Sequence, residues 1–197
     1  MTTATGDEQD QQDMSQLAAG HDAALNELMA RHSQRVFGYL VRILGNETEA
    51  DDLAEETFVR VYLNRARFRP SARFSTWLFS IATNLARDRL RWRARHPQLP
   101  LEGREADTEG SLKDTLRASD PTPAENLEAA ERAAAVRRAV ANLPEELRLP
   151  LVLAEYEGRS HAEIAGALGC SPKAVEMRLY RGRQQLRAKL DRWLKNV

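Results

Sequence analysis

Between His96 and Pro123 the sequence carries Pro97, Pro100, Pro121 and Pro123, two glycines, and the acids Glu102, Glu105, Asp107, Glu109, Asp114 and Asp120. A stretch so rich in proline and charge cannot bury a core, so the chain cannot close around a single uninterrupted interior. Apolar residues at helical spacing resume on both sides, and neither side carries a strand pattern. The expectation is an all-α chain of two small helical domains joined by a flexible acidic linker. Its parts are a disordered tail over residues 1–20, a first unit over 21–96, the linker over 97–125 and a second unit over 126–197.

In the first unit Leu25, Leu28, Met29, Val36, Tyr39, Leu40 and Ile43 trace one long amphipathic helix that Gly45-Asn46 should end. A second helix opens at Glu47, with Leu53, Phe58, Val61 and Tyr62 as its inner stripe. Residues 68–74 then read as a loop, and Ser75 as the cap of a helix running from Thr76 to Arg95. On that helix Trp77, Ser80, Asn84, Arg87 and Arg91 recur at spacings of three and four. Leu78, Ile81, Leu85 and Trp92 should form the opposite, buried stripe. In the second unit helical periodicity resumes at Leu127 and breaks at Leu143-Pro144, and Pro150 should kink or shorten the helix it sits in.

Residues 160–190 have the grammar of a helix-turn-helix. A short helix from His161 to Leu168 is followed by a Gly169-Cys170 turn, and Ser171-Pro172 launches a long helix. With Val175 placed inward, Leu179, Gly182, Leu186 and Leu190 join it, and Lys173, Met177, Tyr180 and Arg181 turn outward. Glu176 and Arg178 flank this outer face, and Arg183 and Arg187 can reach phosphates. Ser171, Lys173, Glu176, Met177, Arg178, Tyr180, Arg181 and Arg183 are therefore the candidate DNA contacts of the second unit.

The first unit repeats the logic with other chemistry. Phe68, Arg69, Ser71, Arg73 and Phe74 in the loop mix arginine with aromatic groups suited to clamping an unpaired base. Asn84 can hydrogen-bond a base edge, while Arg87 and Arg91 hold phosphates. For Phe74 and Trp77, taken singly, core packing is the competing role. Between Gly45 and Val59 lie Glu47, Glu49, Asp51, Asp52, Glu55 and Glu56 with no basic residue. These acids either face a basic protein partner or simply favour a helix N-terminus, and the residues alone leave both open.

Other classes of function find less support. No apolar run reaches the roughly 18 residues of a membrane span, and residues 1–16 are polar, so no membrane insertion is expected and a cytoplasmic location is. Cys170 is the only cysteine, and His21, His32, His96 and His161 are scattered, so no metal, cofactor or catalytic constellation is expected. The chain is read as a non-enzyme. With no third folded unit before Val197, sensing built into the C-terminus is not expected either.

The ordered runs Ala50-Asp51-Asp52-Leu53-Ala54-Glu55-Glu56-Thr57-Phe58, Phe74-Ser75-Thr76-Trp77-Leu78-Phe79-Ser80-Ile81-Ala82-Thr83-Asn84 and Glu157-Gly158-Arg159-Ser160-His161-Ala162-Glu163-Ile164-Ala165 resemble the extracytoplasmic-function group of bacterial RNA polymerase sigma factors. The resemblance implies that residues 21–96 are sigma region 2 and residues 126–197 sigma region 4. It also implies that Asp51, Asp52, Glu55 and Glu56 dock the large subunit of core RNA polymerase. Phe68 to Phe74, with Trp77, Asn84, Arg87 and Arg91, would then take the minus-ten promoter element, and the second unit's long helix the minus-thirty-five element. It further implies an anti-sigma partner, and a linker that passes through polymerase channels. A stand-alone helix-turn-helix regulator, binding DNA without core polymerase, is the alternative.

Overall fold

The structure, a computed structural model, describes residues 6–96 and 123–194. Among them are eight α-helices, one 3-10 turn and no strand. The six linker acids lie outside the described residues. The helices are α1 (Gly6–Ala18), α2 (Ala23–Leu44), α3 (Glu47–Leu63), α4 (Phe74–Arg95), α5 (Pro123–Ala141), α6 (Glu145–Glu155), α7 (His161–Leu168) and α8 (Pro172–Leu194), with the 3-10 turn at Arg65–Arg67 between α3 and α4.

The break after α2 arises from glycine's freedom. Gly45 adopts φ 64°, and its N–H bonds back to the Val41 carbonyl; Asn46 then caps α3 by accepting from the Glu49 N–H at 2.9 Å. An added Cβ at Gly45 would meet nothing within 4 Å, so a substitution there costs backbone strain alone. Gly45→Ala is expected to lower stability by about 1 kcal/mol, which chemical denaturation reads directly.

Leu28, Val36, Tyr39, Leu40 and Ile43 of α2 are fully buried against Leu53, Phe58 and Val61 of α3 and Leu78, Phe79 and Ala82 of α4. Tyr39 and Thr83 hydroxyls meet at 2.8 Å inside this core, and the Thr83 hydroxyl donates to the Phe79 carbonyl at 2.6 Å. In the second unit Leu147, Leu149, Leu151, Val152 and Leu153 of α6 bury against Ile164, Leu168, Val175 and Leu179. Pro150 does not end α6, which continues to Glu155.

Three expectations are corrected. The residues from Gly6 to Ala18 are a helix rather than a structureless tail, because Met14 and Leu17 reach the core and Asp10 and Asp13 are buried with them. Ser75 does not cap α4. It lies buried inside the first turn, and Arg73, in extended backbone with no capping side-chain bond, stands at the boundary. Trp92 leaves the buried stripe and is 43% exposed: at this end of α4 the side facing α2 and α3 is the one that carries Arg89 and Arg93, and Trp92 stands at its edge.

Candidate nucleic-acid interface and docking face

Helix α7 starts in a reciprocal cap. The Ser160 side chain accepts from the Glu163 N–H while the Glu163 carboxylate accepts from the Ser160 N–H at 2.9 Å. Gly169, at φ 63°, ends α7, and the Ser171 hydroxyl accepts from the Ala174 N–H at 3.2 Å to start α8. These two chain reversals fix which side of α8 is covered. Val175, Leu179 and Gly182 are buried, whereas Lys173, Glu176, Met177, Tyr180 and Arg181 are exposed. Lys173 donates to Glu176 at 2.8 Å, and this bond holds the Glu176 carboxyl below its ordinary range. Gln184 donates to the Tyr180 hydroxyl at 2.8 Å. The flanking arginines are differently placed. Arg178 is half-buried and turns back toward the Cys170 sulfur, and Arg183 pairs with Glu155 at 2.7 Å.

On α4 and its loop the candidate residues separate. Asn84 and Arg69 are exposed, and Phe68 and Trp77 are half-buried with ring centroids 5.3 Å apart. Phe74 is only 1% exposed and packs edge-on against His32 at 5.2 Å. It cannot offer its own face to a base. Its contacts with Phe68 and Trp77, at 6.1 and 6.2 Å, instead support the two rings that remain accessible. Arg91 pairs with Asp88 on the surface.

The acidic helix α3 divides its charge between two faces. Glu49 turns toward α4 and receives Arg93 at 2.8 Å and Arg89 at 3.3 Å. Asp51, Asp52 and Glu55 are exposed, and among the described residues Glu56 pairs only with Arg60 of its own helix. Val59 and Leu63, 49% and 68% exposed, continue the row begun by Asp52, Glu55 and Glu56. The outer face of α3 is therefore anionic at one end and apolar at the other.

The two units also meet, through residues whose meeting the sequence did not announce. Arg159, just ahead of α7, donates to the Ser75 hydroxyl at 2.6 Å and stands over the Phe79 ring at 5.0 Å. Arg35 bonds Glu157 at 3.2 Å, and Arg42 covers the Tyr156 ring at 4.2 Å. Arg87 reaches Glu145 and the Leu168 carbonyl, both at 3.4 Å, and Arg73 reaches Glu163. Two of the arginines expected on DNA are thus engaged with the second unit. Burial pulls the Arg159 guanidinium down from its ordinary value, and Arg35 adds to this, while burial pushes the Glu157 carboxyl up against the pull of Arg35.

Burial would raise the Glu163 carboxyl, but the bonds from Ser160 outweigh it, joined by Arg159 and Thr76, and hold it at about 2. A depressed carboxyl stabilises the fold above its ordinary 4.5 and loses that contribution as pH falls through about 2. The stability gap between the parent and Glu163→Gln, measured by denaturation at several pH values, is expected to be full near neutrality and to close at the acid end.

Among the described residues no cluster of histidine, cysteine and acids could hold a metal ion, and no helix is long and apolar enough to cross a membrane. Residues 28–96 match the family Sigma-70 region 2, and residues 133–186 match Sigma-70, region 4. The chain is 36% identical over 173 residues to the ECF RNA polymerase sigma factor SigE of Mycolicibacterium smegmatis, covering 86% of this chain and 64% of that relative. With the RNA polymerase sigma-H factor of Pseudomonas aeruginosa it shares 31% identity over 186 residues, covering 91% of this chain and 92% of the relative. Of solved structures, CnrH in complex with the cytosolic domain of CnrY is similar at a TM-score of 0.66 and 31% identity, over 93% of this chain and 97% of that one.

Proposed function

The chain belongs to the sigma-70 family, in its extracytoplasmic-function group, and on that premise we propose how its parts divide the work of starting transcription. Residues 21–96 dock core RNA polymerase through Asp51, Asp52, Glu55 and Glu56 and take the minus-ten element along α4. Residues 126–197 read the minus-thirty-five element with Lys173, Glu176, Met177, Tyr180 and Arg181. One observation carries this division: exposed DNA-compatible faces on α4 and α8 accompany an anionic face on α3 that would repel DNA and suits a basic protein.

Mounted on polymerase, the two readers sit at a set separation, so each raises the effective concentration of the other. Capture of an extruded base by Phe68 and Trp77 contributes roughly 1 to 3 kcal/mol toward opening the duplex. The chain performs no bond chemistry of its own. It works in the cytoplasm, where polymerase and promoter are, and an anti-sigma protein is its expected inhibitor.

Reconstitution tests the reading. Core polymerase plus this chain should start transcription at discrete sites on genomic fragments, whereas neither component does so alone. Assembly should weaken steeply with salt, because much of the affinity comes from released counterions. A chain that ignores core polymerase yet binds a palindromic duplex as a free dimer would instead be a stand-alone regulator, a reading that the family membership does not favour.

A further inference from the structure

At the C-terminal end of α4 an indole stands in the open. Trp92 is 43% exposed, and one face of its ring lies on the His96 imidazole, with centroids 4.9 Å apart and planes inclined by 21°. His96 is tied down in turn, its backbone N–H reaching the Trp92 carbonyl at 3.0 Å and its Nδ1 lying 3.1 Å from the same oxygen. Isolated surface aromatics are ordinary and require no ligand. This one is held in place on one side, so a planar partner on the other side would cost little lost freedom.

Its surroundings narrow the choice of partner. Arg95 falls on the same side of α4 as Trp77, Asn84 and Arg91, three turns beyond Asn84 and roughly 16 Å farther along the axis. The Arg91–Asp88 pair at 2.7 Å has both side chains about two-thirds exposed, at 66% and 64%, and such a pair yields readily to a phosphate. Arg95 bonds only the Arg91 carbonyl, at 3.3 Å, and has no carboxylate partner among the described residues. An aromatic plane one turn from the Arg95 guanidinium, at the end of a helix whose adjoining side already offers Asn84 and Arg91, matches a nucleotide strand in both charge and shape.

We propose that Trp92, flanked by Arg91 and Arg95, is a stacking site for a nucleobase of the same promoter DNA that runs along α4, with the two guanidiniums on its phosphates. The proposal rests on the sigma-factor reading above. It extends the DNA-binding face beyond Arg91 to the end of the helix.

The test uses the full chain assembled with core polymerase on labelled promoter DNA. Trp92→Ala should lower promoter affinity about tenfold and Trp92→Phe far less. Arg95→Ala should reduce the slope of log affinity against log salt by about 0.7, the value for a phosphate of an unpaired strand. Binding to core polymerase and the unfolding midpoint should not move. With Trp92→benzoylphenylalanine, irradiation of the assembled complex should join position 92 to DNA. Unchanged promoter affinity in Trp92→Ala would overturn the proposal, as would crosslinks that go to a polymerase subunit together with weakened core binding. A parent chain that fails to bind core polymerase would overturn the sigma-factor reading itself, so the two failures are told apart.

Discussion

Changing Asp52, Glu55 and Glu56 together to lysine is expected to lower affinity for core RNA polymerase at least about a hundredfold, because setting like charges against a basic partner costs several kcal/mol. The same change should leave the fold nearly as stable as before. Asp52 and Glu55 are exposed, and the one ion pair lost, Glu56 with Arg60, has side chains 46% and 42% exposed, the kind of helical pair worth about 0.3 to 0.5 kcal/mol. These acids also lie past the first turn of α3, which holds Glu47 and Glu49, so the helix dipole accounts for little of their presence. Glu49→Ala is the informative contrast. It strips Arg89 and Arg93 of their carboxylate partner, leaving Arg93 the Leu44 carbonyl, and should loosen α3 from α4 without touching the outer face. Pull-down and competition against labelled core polymerase would measure both variants. Undiminished affinity in the triple variant would move the docking surface off α3 altogether.

The helical punctuation was readable because its causes are local. Gly45-Asn46 and Ser171-Pro172 each act through bonds spanning at most four residues, and each stands where residue chemistry alone put it. The inner and outer sides of α8 were readable for the same reason, since one periodic stripe decides them. Trp92 was misplaced because a seven-residue step drifts about 20° round the helix, so two steps from Leu78 carry the stripe to the edge of the side that faces α2 and α3. Arg159, Glu157 and Arg35 escaped notice because their significance lies in which surfaces of the two units meet, and Arg35 and Glu157 are 122 positions apart. A signal for α1 did exist. Asp10, Asp13, Met14 and Leu17 recur at intervals of three, one and three, but the polar composition around them masked a helix with only a narrow apolar edge.

That helix precedes the residues that match region 2, and its attachment gives the largest stability change we expect. Asp10 is 3% exposed. Both its oxygens lie within 2.9 Å of His32 Nε2, and it receives the Arg31 Nε at 3.0 Å. Asp13 receives another nitrogen of the same guanidinium. Asp10→Ala leaves His32, itself 6% exposed, facing a void with no acceptor, and frees half of an arginine that only Asp13 then holds. Removing one member of a buried ionic cluster costs about 3 to 5 kcal/mol, and the 30% exposure of the Arg31 side chain places this case near the lower end. Met14 and Leu17, each worth about 1.5 to 3 kcal/mol when buried, keep α1 associated only while it remains docked along their edge. The loss should therefore show first as local detachment, with amide exchange accelerating across Gly6–Ala18, before the rest of the chain unfolds. Since α1 packs against the 3-10 turn and the start of α4, and Asp7 reaches Arg73 at 3.2 Å, detachment should also loosen the loop from Phe68 to Phe74 and weaken minus-ten capture while core binding through α3 persists. Asp10→Asn, which keeps one acceptor oxygen, should lie between the parent and Asp10→Ala. Exchange in α1 that is as slow in Asp10→Ala as in the parent would mean that the apolar edge alone anchors the helix.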